Sequence, residues 1–451
     1  MLCVKKVFAL NFWIPSQVQT ALSLLEAAGR EAYLVGGCVR DTLLGRRPAD
    51  YDLCTAALPE ETARCFAQYP SIATGLKHGT LAVCIDGMQL EITTYRLDGS
   101  YSDSRRPDRV TFTPSLEEDL ARRDFTVNAM AYRPGTGLVD LYGGRRDLAA
   151  RLIRCVGEPE RRFEEDALRI LRAYRFVSKL DFALEEETGV WAQRLADRLE
   201  KVSRERIYGE VRGILLGPAA GRAVREMGHQ VLEQIFPQRE GFPPGQFLSD
   251  DSREGADRLQ ETAEAVGRAE QDFPLRCALL LRLLFPPESL SEESQREASA
   301  REIQRLLKQR CFPSGTAGEI AALFRFGERP LLAQRISLLR LLQEAGLQTV
   351  EQLIALREAL TGDGDISSLT AVRQRLSQLL AGEKNACYTV GQLAVGGREL
   401  LQAGIPPGRP LGEALHRLLE AVIVGAADNT PEGLIAYLEG ERAAGQAAEK
   451  P

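Results

Sequence analysis

The segment at residues 32–40 constrains the fold of this chain most, because it joins a strand pattern to a helix pattern through two glycines. The apolar run at residues 32–35 predicts a short strand, and Gly36 and Gly37 follow it directly. Glycine lets the backbone approach an anion closely, and the N-terminal amide groups of a helix favour negative charge. Arg40, on that helix, adds a fork of guanidinium donors. The order of strand, glycine pair and helix therefore predicts a phosphate site.

Asp50 and Asp52 follow at the next strand pattern, YDLCT at residues 51–55. Alternate side chains of a strand point to one face, roughly 6 to 7 Å apart, so both carboxylates are expected to face one cavity. Like charges at that separation favour a bound cation, and hard carboxylate oxygens favour Mg²⁺. This is the chemistry of phosphoryl and nucleotidyl transfer. A single Asp-x-Asp motif is more often a turn or a solvated surface, but its combination with the glycine pair favours a metal site.

The composition is that of a globular protein and excludes several classes of function. The chain has 451 residues, a net charge of −6 and a hydrophobic content of 44%, and its length suggests about two to four domains. The three histidines are not spaced as metal pairs and the nine cysteines lack C-x-x-C spacing. A histidine-aspartate phosphohydrolase, a zinc ribbon and a disulfide framework are therefore not expected. The scattered cysteines favour a reducing cytoplasm, and no run approaches about 18 apolar residues, so no membrane span is expected.

Two further strand patterns, at residues 80–85 and 88–95, flank Asp86 and Gly87. Asp-Gly between strands is typical of a tight hairpin, so the sheet is expected to be at least partly antiparallel. The hairpin could carry Glu91 back toward the two aspartates as a third active-site carboxylate. It could equally leave Glu91 on a solvated face.

Helical patterns dominate beyond residue 156, and the expected fold class is therefore α+β. A mixed β-sheet catalytic head would be followed by an all-helical neck, body and tail. The predicted boundaries are 1–155 for the head, 156–240 for the neck, 241–385 for the body and 386–451 for the tail.

Arg122 and Arg123 form a second polar cluster at the edge of an apolar run. Guanidinium groups stay charged and can bind triphosphate oxygens with two hydrogen bonds. The alternative is a solvated helix turn in which both arginines pair with Glu117, Glu118 and Asp119.

A third cluster spaces Asp166, Arg169, Arg172 and Arg175 at intervals of three, which predicts one ridge of a helix. Cytosine and adenine both present an amine donor beside a ring-nitrogen acceptor, whereas uracil and guanine present the reverse order. An Asp166–Arg169 pair would therefore accept C and A and exclude U and G, since each mismatch costs roughly 1 to 3 kcal/mol. Arg172 and Arg175 would bind phosphates or position the pair. The alternative is an ordinary surface helix with salt bridges at this spacing.

Five motifs give the chain a resemblance to a known family. They are GGCVRDTLLGRRPADYDL at 36–53, RRDFTVNAMAY at 122–132, DLYGGRRDL at 140–148, EEDALRILRAYRF at 164–176 and SRERIYGE at 203–210. With them the chain resembles the bacterial tRNA nucleotidyltransferases of the class II nucleotidyltransferase superfamily, the CCA-adding enzymes and the related poly(A) polymerases. The resemblance implies that Asp50 and Asp52 bind Mg²⁺, that Gly37, Arg40 and Arg123 contact the triphosphate, and that Asp166, Arg169, Arg172 and Arg175 form the nucleotide pocket.

The function implied by the resemblance is template-independent addition of C, C and A to the 3′ end of tRNA from CTP and ATP, with release of pyrophosphate. Residues 74–83 resemble the tRNA-specific branch, the loop at 96–112 has the length needed for addition of A, and residues 391–425 resemble the tail of the CCA-adding branch. An A-only enzyme and a poly(A) polymerase stay open as alternatives. A non-catalytic RNA-binding protein and a small-molecule nucleotidyltransferase are alternatives of other classes, and the oligomeric state stays open.

Overall fold

The computed structural model of the chain describes residues 12–72, 79–98, 110–236, 253–285, 290–362, 364–382 and 386–448. Most of the loop at 96–112 and half of the segment at 74–83 lie outside the described residues. The chain forms two compact units, Met1–Ala263 and Glu264–Pro451. All five motifs belong to the first unit. The finer division into neck, body and tail stays a prediction.

A seven-stranded mixed sheet forms the centre of the first unit. Its strands and the short pairs around it are β1 Ala32–Val35, β2 Asp52–Thr55, β3 Ser71–Ile72, β4 Thr80–Ile85, β5 Met88–Thr94, β6 Arg96–Asp98, β7 Val110–Phe112, β8 Met130–Arg133, β9 Gly137–Asp140, β10 Leu152–Ile153 and β11 Ala183–Leu184. The sheet has the order β3-β4-β5-β2-β1-β8-β9, while β6 pairs with β7 and β10 with β11. Within the large sheet β2 and β5 run parallel and the other neighbours run antiparallel. The predicted mixed sheet is confirmed.

The hairpin between β4 and β5 also follows its prediction. Ile85 pairs with Met88 across the turn, and φ is 45° at Asp86 and 78° at Gly87. A two-residue turn with positive φ at both positions matches the twist of the flanking strands. Asp-Gly adopts this conformation readily because glycine has no Cβ and aspartate tolerates the left-handed region.

Helices make up most of the described residues of the first unit outside the sheet. They are α1 Ser16–Ala27, α2 Gly37–Leu43, α3 Pro59–Cys65, α4 Leu116–Ala121, α5 Gly144–Ala150, α6 Pro159–Glu165, α7 Leu168–Leu180, α8 Glu186–Arg194, α9 Arg204–Leu215 and α10 Ala220–Ile235, and α11 Arg253–Arg268 spans the boundary between the units. The two-residue strand β11 interrupts the predicted all-helical neck, so that region is mostly rather than wholly helical.

Helix α4 packs on one face of the sheet and thereby determines what lies above β2. Its Leu120 is buried and its Leu116 half-buried against a cluster of side chains that share this face. The sheet contributes Tyr33, Val35, Cys54 and Ala131, and Tyr95 follows β5. The chain leaves α4 at Arg122 and Arg123, so apolar packing of α4 brings the two arginines over the same face of the sheet.

The second unit is helical throughout its described residues apart from connecting turns. Its helices are α12 Phe273–Leu281, α13 Glu293–Gln309, α14 Ser314–Phe326, α15 Arg335–Ala345, α16 Leu347–Thr361, α17 Ser367–Leu380, α18 Gly397–Gln402, α19 Arg409–Val424 and α20 Pro431–Ala448. The prediction of a helical remainder is confirmed. No helix in the described ranges has the length and apolar character needed to cross a membrane.

Candidate active site

Carboxylates meet where β1, β2 and β5 are neighbours in the sheet. Asp52 is the register partner of Val35 on one side and of Glu91 on the other. Register partners project their side chains to the same face, so Glu91 lies beside Asp52. Asp50 precedes β2 rather than lying within it, because the strand begins at Asp52. The alternation expected for a strand therefore does not apply to Asp50, although its charge still acts on Asp52.

The surroundings of Asp52 favour a bound cation. Burial, followed by the negative charges of Asp50 and Glu91, raises the pKa of Asp52 to about 6, and Arg123 opposes this shift. A divalent cation would remove the repulsion, and carboxylate oxygens are the donors that Mg²⁺ prefers. Over the described ranges, no three His, Cys, Asp or Glu side chains already form a metal-binding cluster. Asp50 and Glu91 are exposed, and their part in a metal site stays a prediction.

The glycine turn brings two arginines close to the first aspartate. Gly36 has a φ of 72°, which glycine adopts without strain. A Cβ atom on Gly36 would lie 3.4 Å from Nη1 of Arg123. One on Gly37 would lie 3.6 Å from Nη2 of Arg40 and 4.0 Å from Oδ1 of Asp50. The three residues predicted to contact phosphates therefore lie together beside a predicted metal ligand.

Arg40 is fixed from behind by acceptors and an aromatic ring. Its side chain is buried, and its Nε donates to Oδ1 of Asp41 at 2.8 Å and its Nη1 to Oδ1 of Asn128 at 2.7 Å. Its guanidinium carbon lies 5.5 Å from the ring centroid of Phe176. The remaining nitrogen, Nη2, is the one nearest Gly37. The hydrogen bonds thus orient one edge of the guanidinium toward the glycine turn.

Arg122 and Arg123 share one fully buried carboxylate. Asp119 lies within α4, and its oxygens lie 2.7 Å from Nη2 of Arg122 and 3.2 Å from Nη2 of Arg123. Burial alone would raise the pKa of Asp119, but the two guanidinium groups lower it below its ordinary value. Pairing with Asp119 was part of the alternative for this cluster, yet the pair is buried rather than solvated. Glu118 instead accepts a hydrogen bond from Thr113.

Arg172 is paired with Asp124, from the motif at residues 122–132. Nε and Nη2 of Arg172 donate to Oδ2 of Asp124 at 2.9 and 2.6 Å. Burial favours the neutral form of Asp124, but Arg172 outweighs it and lowers the pKa of this carboxyl to about 2. The other oxygen of Asp124 accepts from the amide of Asn128 at 3.4 Å. Because Asn128 also accepts from Arg40, a continuous hydrogen-bonded network links α7 to α2.

Asp166 lies outside the helix that carries the three arginines. Helix α6 ends at Glu165 and α7 begins at Leu168, with Asp166 in extended conformation between them. Its Oδ1 accepts from the backbone N–H of Leu168 at 3.1 Å and its Oδ2 from Nη2 of Arg206 at 2.8 Å. The single ridge from Asp166 to Arg175 is therefore wrong as a description of the backbone, because the chain breaks after α6.

Arg169 and Arg175 each have an acidic partner other than Asp166. Arg169 is nearly buried, and its Nη1 donates to Oε2 of Glu165 at 2.8 Å and its Nη2 to the carbonyl of Arg122 at 3.0 Å. Arg175 pairs with Glu210 of α9 at 2.5 Å. Asp166 and Arg169 both lie at the junction of α6 and α7, and their joint action on one base edge stays a prediction.

Three residues without a role predicted from the sequence hold predicted site residues in place: Asn128, Arg206 and Glu210. A signal for two of them was present. Arg206 and Glu210 are four residues apart within the motif at 203–210, which puts both on one face of a helix. Asn128 lies in the motif at 122–132 but has no spacing signal of its own. Its partners come from distant parts of the chain.

Comparison with known proteins matches three regions to family models. Residues 32–154 match the poly A polymerase head domain, residues 181–241 the probable RNA and SrmB-binding site of polymerase A, and residues 297–438 the tRNA nucleotidyltransferase domain 2. The two head motifs that carry Asp52 and Arg123 lie in the first region.

Whole-chain similarity points to the same family. The CCA-adding enzyme of Lactobacillus helveticus is 35% identical over 425 residues, which cover 93% of this chain and 95% of the relative. That of Geobacillus stearothermophilus is 36% identical over 424 residues, covering 93% and 96%. The crystal structure of the Bacillus stearothermophilus CCA-adding enzyme in complex with CTP matches with a TM-score of 0.73 at 32% identity, covering 96% of this chain and 100% of that one. The chain therefore belongs to the family of the CCA-adding enzymes, which are nucleotidyltransferases.

Proposed function

We propose that this chain adds C, C and A to the 3′ end of tRNA, using CTP and ATP and releasing pyrophosphate. The observation that supports this most strongly is the position of Asp52. It lies among like charges on the sheet face that Arg123 covers, next to the turn formed by Gly36 and Gly37. Carboxylates for a metal and guanidinium groups for phosphates within one site are what nucleotidyl transfer requires.

Enzymes of this family use a divalent metal ion, and we assign Mg²⁺ to Asp50 and Asp52. When bound, the metal supplies positive charge at the reacting phosphate. Gly37 lets the backbone approach the triphosphate, while Arg40 and Arg123 compensate its charge. The 3′-hydroxyl of tRNA attacks the α-phosphate in line and pyrophosphate leaves.

Base choice is assigned to Asp166 and Arg169, and Arg172 and Arg175 are assigned to the same nucleotide pocket, where they bind phosphates or position the pair. A carboxylate has about four acceptor sites, so Asp166 can accept from the amine of cytosine or adenine while it keeps its bonds to Leu168 and Arg206. The hydrogen bonds of Arg169 leave guanidinium N–H groups for the ring nitrogen. Uracil and guanine would place a carbonyl oxygen against the carboxylate.

The helical regions are assigned to tRNA. We place the neck at 156–240, the body at 241–385 and the tail at 386–451, with the tail contacting the acceptor arm. Duplex RNA is recognised mainly through its backbone and shape, so local basic faces would serve despite the net charge of −6. We expect the reaction in the cytoplasm, where its tRNA substrate is used.

A product-length assay tests the proposal. Purified protein is given tRNAs that end before CCA, after C and after CC, with CTP and ATP supplied separately. The proposal predicts two additions of C and then a single A. Addition of A alone would favour the A-only alternative, and a long A tail would favour a poly(A) polymerase. Transfer to a small acceptor but not to tRNA would contradict the proposal, as would a complete lack of incorporation.

A further inference from the structure

Asp119 has the geometry of a residue that positions others. Its side chain is fully buried, which is rare for a carboxylate unless it is paired. Oδ1 accepts from Nε and Nη2 of Arg122 at 3.0 and 2.7 Å, and also from the backbone N–H of Arg96 at 3.3 Å. Oδ2 accepts from Nη2 of Arg123 at 3.2 Å. One carboxylate thus holds the end of α4 and the first residue of β6.

Arg123 depends on this carboxylate for its orientation. Among the described residues, Asp119 is the acceptor to which Arg123 donates, through Nη2. The Nε atom of Arg123 is buried and has no hydrogen-bond partner there. The opposite nitrogen, Nη1, lies 3.4 Å from the position that a Cβ atom on Gly36 would occupy. The bond through Nη2 therefore fixes which nitrogen faces the glycine turn. Without it the guanidinium would be expected to rotate toward the carboxylate of Asp52, whose pKa the charge of Arg123 already lowers.

The charge balance of this cluster also suits an anion. One carboxylate faces two guanidinium groups, so one positive charge is left over. Both arginines are largely buried, with side-chain exposures of 17% and 19%. A partly desolvated positive charge attracts a polyphosphate more strongly than an exposed one would. The charge of Asp119 lowers the free-energy cost of burying two guanidinium groups. One of them, that of Arg123, still faces the glycine turn.

We propose that Asp119 is a positioning residue for polyphosphate binding: it holds Arg123 against the Gly36–Gly37 turn and makes no contact with the substrate itself. The inference rests on the proposed function, because it takes the turn as the triphosphate site. It goes beyond that function because it makes the affinity for the triphosphate depend on a buried carboxylate of α4, acting through Arg123.

Binding of inorganic tripolyphosphate, measured calorimetrically in magnesium chloride without tRNA, tests this role. Asp119→Asn keeps the shape of the side chain and removes its charge, and we expect it to weaken tripolyphosphate and CTP binding by at least about tenfold. Cytidine binding, which involves no phosphate, should stay unchanged. Glu118→Gln is the matched control, since Glu118 is the preceding residue on α4 and its described partners are Thr113 and Ser115. This variant should bind tripolyphosphate as the parent does.

A second variant separates positioning from stability. Asp119→Asn leaves two buried guanidinium groups without a counter-charge, so it is also expected to lower the melting temperature. Combining it with Arg122→Met returns the cluster to a single surplus positive charge. We expect the double variant to regain part of its melting temperature while tripolyphosphate binding stays weak. Recovery of binding together with stability would overturn the inference, as would parent-like binding by Asp119→Asn.

The proposed function and this inference fail in different ways. A parent chain that binds tripolyphosphate but adds no nucleotide to tRNA overturns the proposed function, while the comparison between Asp119→Asn and Glu118→Gln still decides the role of Asp119. A parent chain that binds neither tripolyphosphate nor CTP overturns the inference.

Discussion

Asp52 and Asp124 are carboxylates shielded from water, yet their neighbours move their pKa values in opposite directions. Burial is the largest influence on both and favours the neutral form. Asp52 lies next to Asp50 and Glu91, and its pKa is raised to about 6. Asp124 lies next to Arg172, and its pKa is lowered to about 2. Asp52 therefore favours the binding of a cation, whereas Asp124 is already paired with the guanidinium of Arg172.

Replacing Asp52 by Asn should abolish most of the activity. The amide cannot supply a charged ligand to a metal, and loss of several kcal/mol of charge stabilisation lowers the rate by at least about a thousandfold. The measurement is the single-turnover rate of C addition to tRNA. Asp86→Asn makes the same change in the turn between β4 and β5, where φ is 45° and Asn is well tolerated; it should leave the rate unchanged. A rate for Asp52→Asn within tenfold of the parent would refute the metal assignment.

Asp124 should make the first unit sensitive to acid. Its pKa of about 2 in the fold lies below the ordinary value of 3.8, so its contribution is fully present above about pH 4 and is lost as the pH falls through 2. The full contribution is about 2 kcal/mol, of which about half is lost at pH 3. Asp124→Asn should therefore be less stable than the parent at pH 6, with a difference that narrows at pH 3.

Urea unfolding at pH 6, 4 and 3 measures this difference. Trp13 and Trp191, the two tryptophans of the chain, belong to the first unit, so fluorescence follows that unit. Asp197→Asn, at an exposed position, is the control and should match the parent at each pH. A difference between Asp124→Asn and the parent that stays constant with pH would argue against the pair with Arg172.

At the scale of elements, the junction of α6 and α7 matters more than either helix. Because of the break between them, Asp166 lies outside both helices. Its carboxylate accepts hydrogen bonds from the backbone of Leu168 and the side chain of Arg206. Asp166→Ala should remove the group that excludes uracil and guanine, so discrimination of CTP over UTP should fall by about 10- to 100-fold. Glu164→Ala, at the end of α6 and paired with Arg198, should keep discrimination. Competition between CTP and UTP in one assay measures the selectivity of both variants. Unchanged selectivity of Asp166→Ala would contradict the hypothesis that Asp166 recognises the base edge.

Packing of α9 on α7 gives a prediction with an internal control. A Cβ atom on Gly213 would lie 2.6 Å from Cδ of Arg175, whereas one on Gly209 would meet nothing within 4 Å. Both glycines lie in α9, one helical turn apart. Gly213→Ala should displace Arg175 and destabilise the unit by about 1 to 3 kcal/mol. Gly209→Ala should stabilise it by up to about 1 kcal/mol, since alanine favours helix. Equal effects in urea unfolding would contradict the close contact.

For the whole molecule, the sequence predicted what is local and missed what is distant. Strand β1, the turn at Asp86 and the helical remainder follow from patterns within a few residues. The partners of the site residues do not follow from such local patterns, because they are distant in sequence. Arg172 and Asp124 are 48 residues apart, and Arg206 and Asp166 are 40 apart. Each arginine had several acidic residues within reach along the chain. Only the packing of α7 against α9 and the sheet determines which carboxylate it meets.

All residues predicted to bind the nucleotide belong to the first unit, so CTP should stabilise that unit selectively. A ligand at about 100 times its Kd adds about 2.7 kcal/mol to the unit that binds it. Tryptophan fluorescence reports on Met1–Ala263, while far-ultraviolet circular dichroism reports on the helices of both units. CTP should therefore raise the urea midpoint by fluorescence and shift the dichroism curve only in part. UTP at the same concentration should give a smaller shift, because its base edge does not match Asp166. A fluorescence midpoint that CTP leaves unchanged would place the nucleotide site outside the first unit.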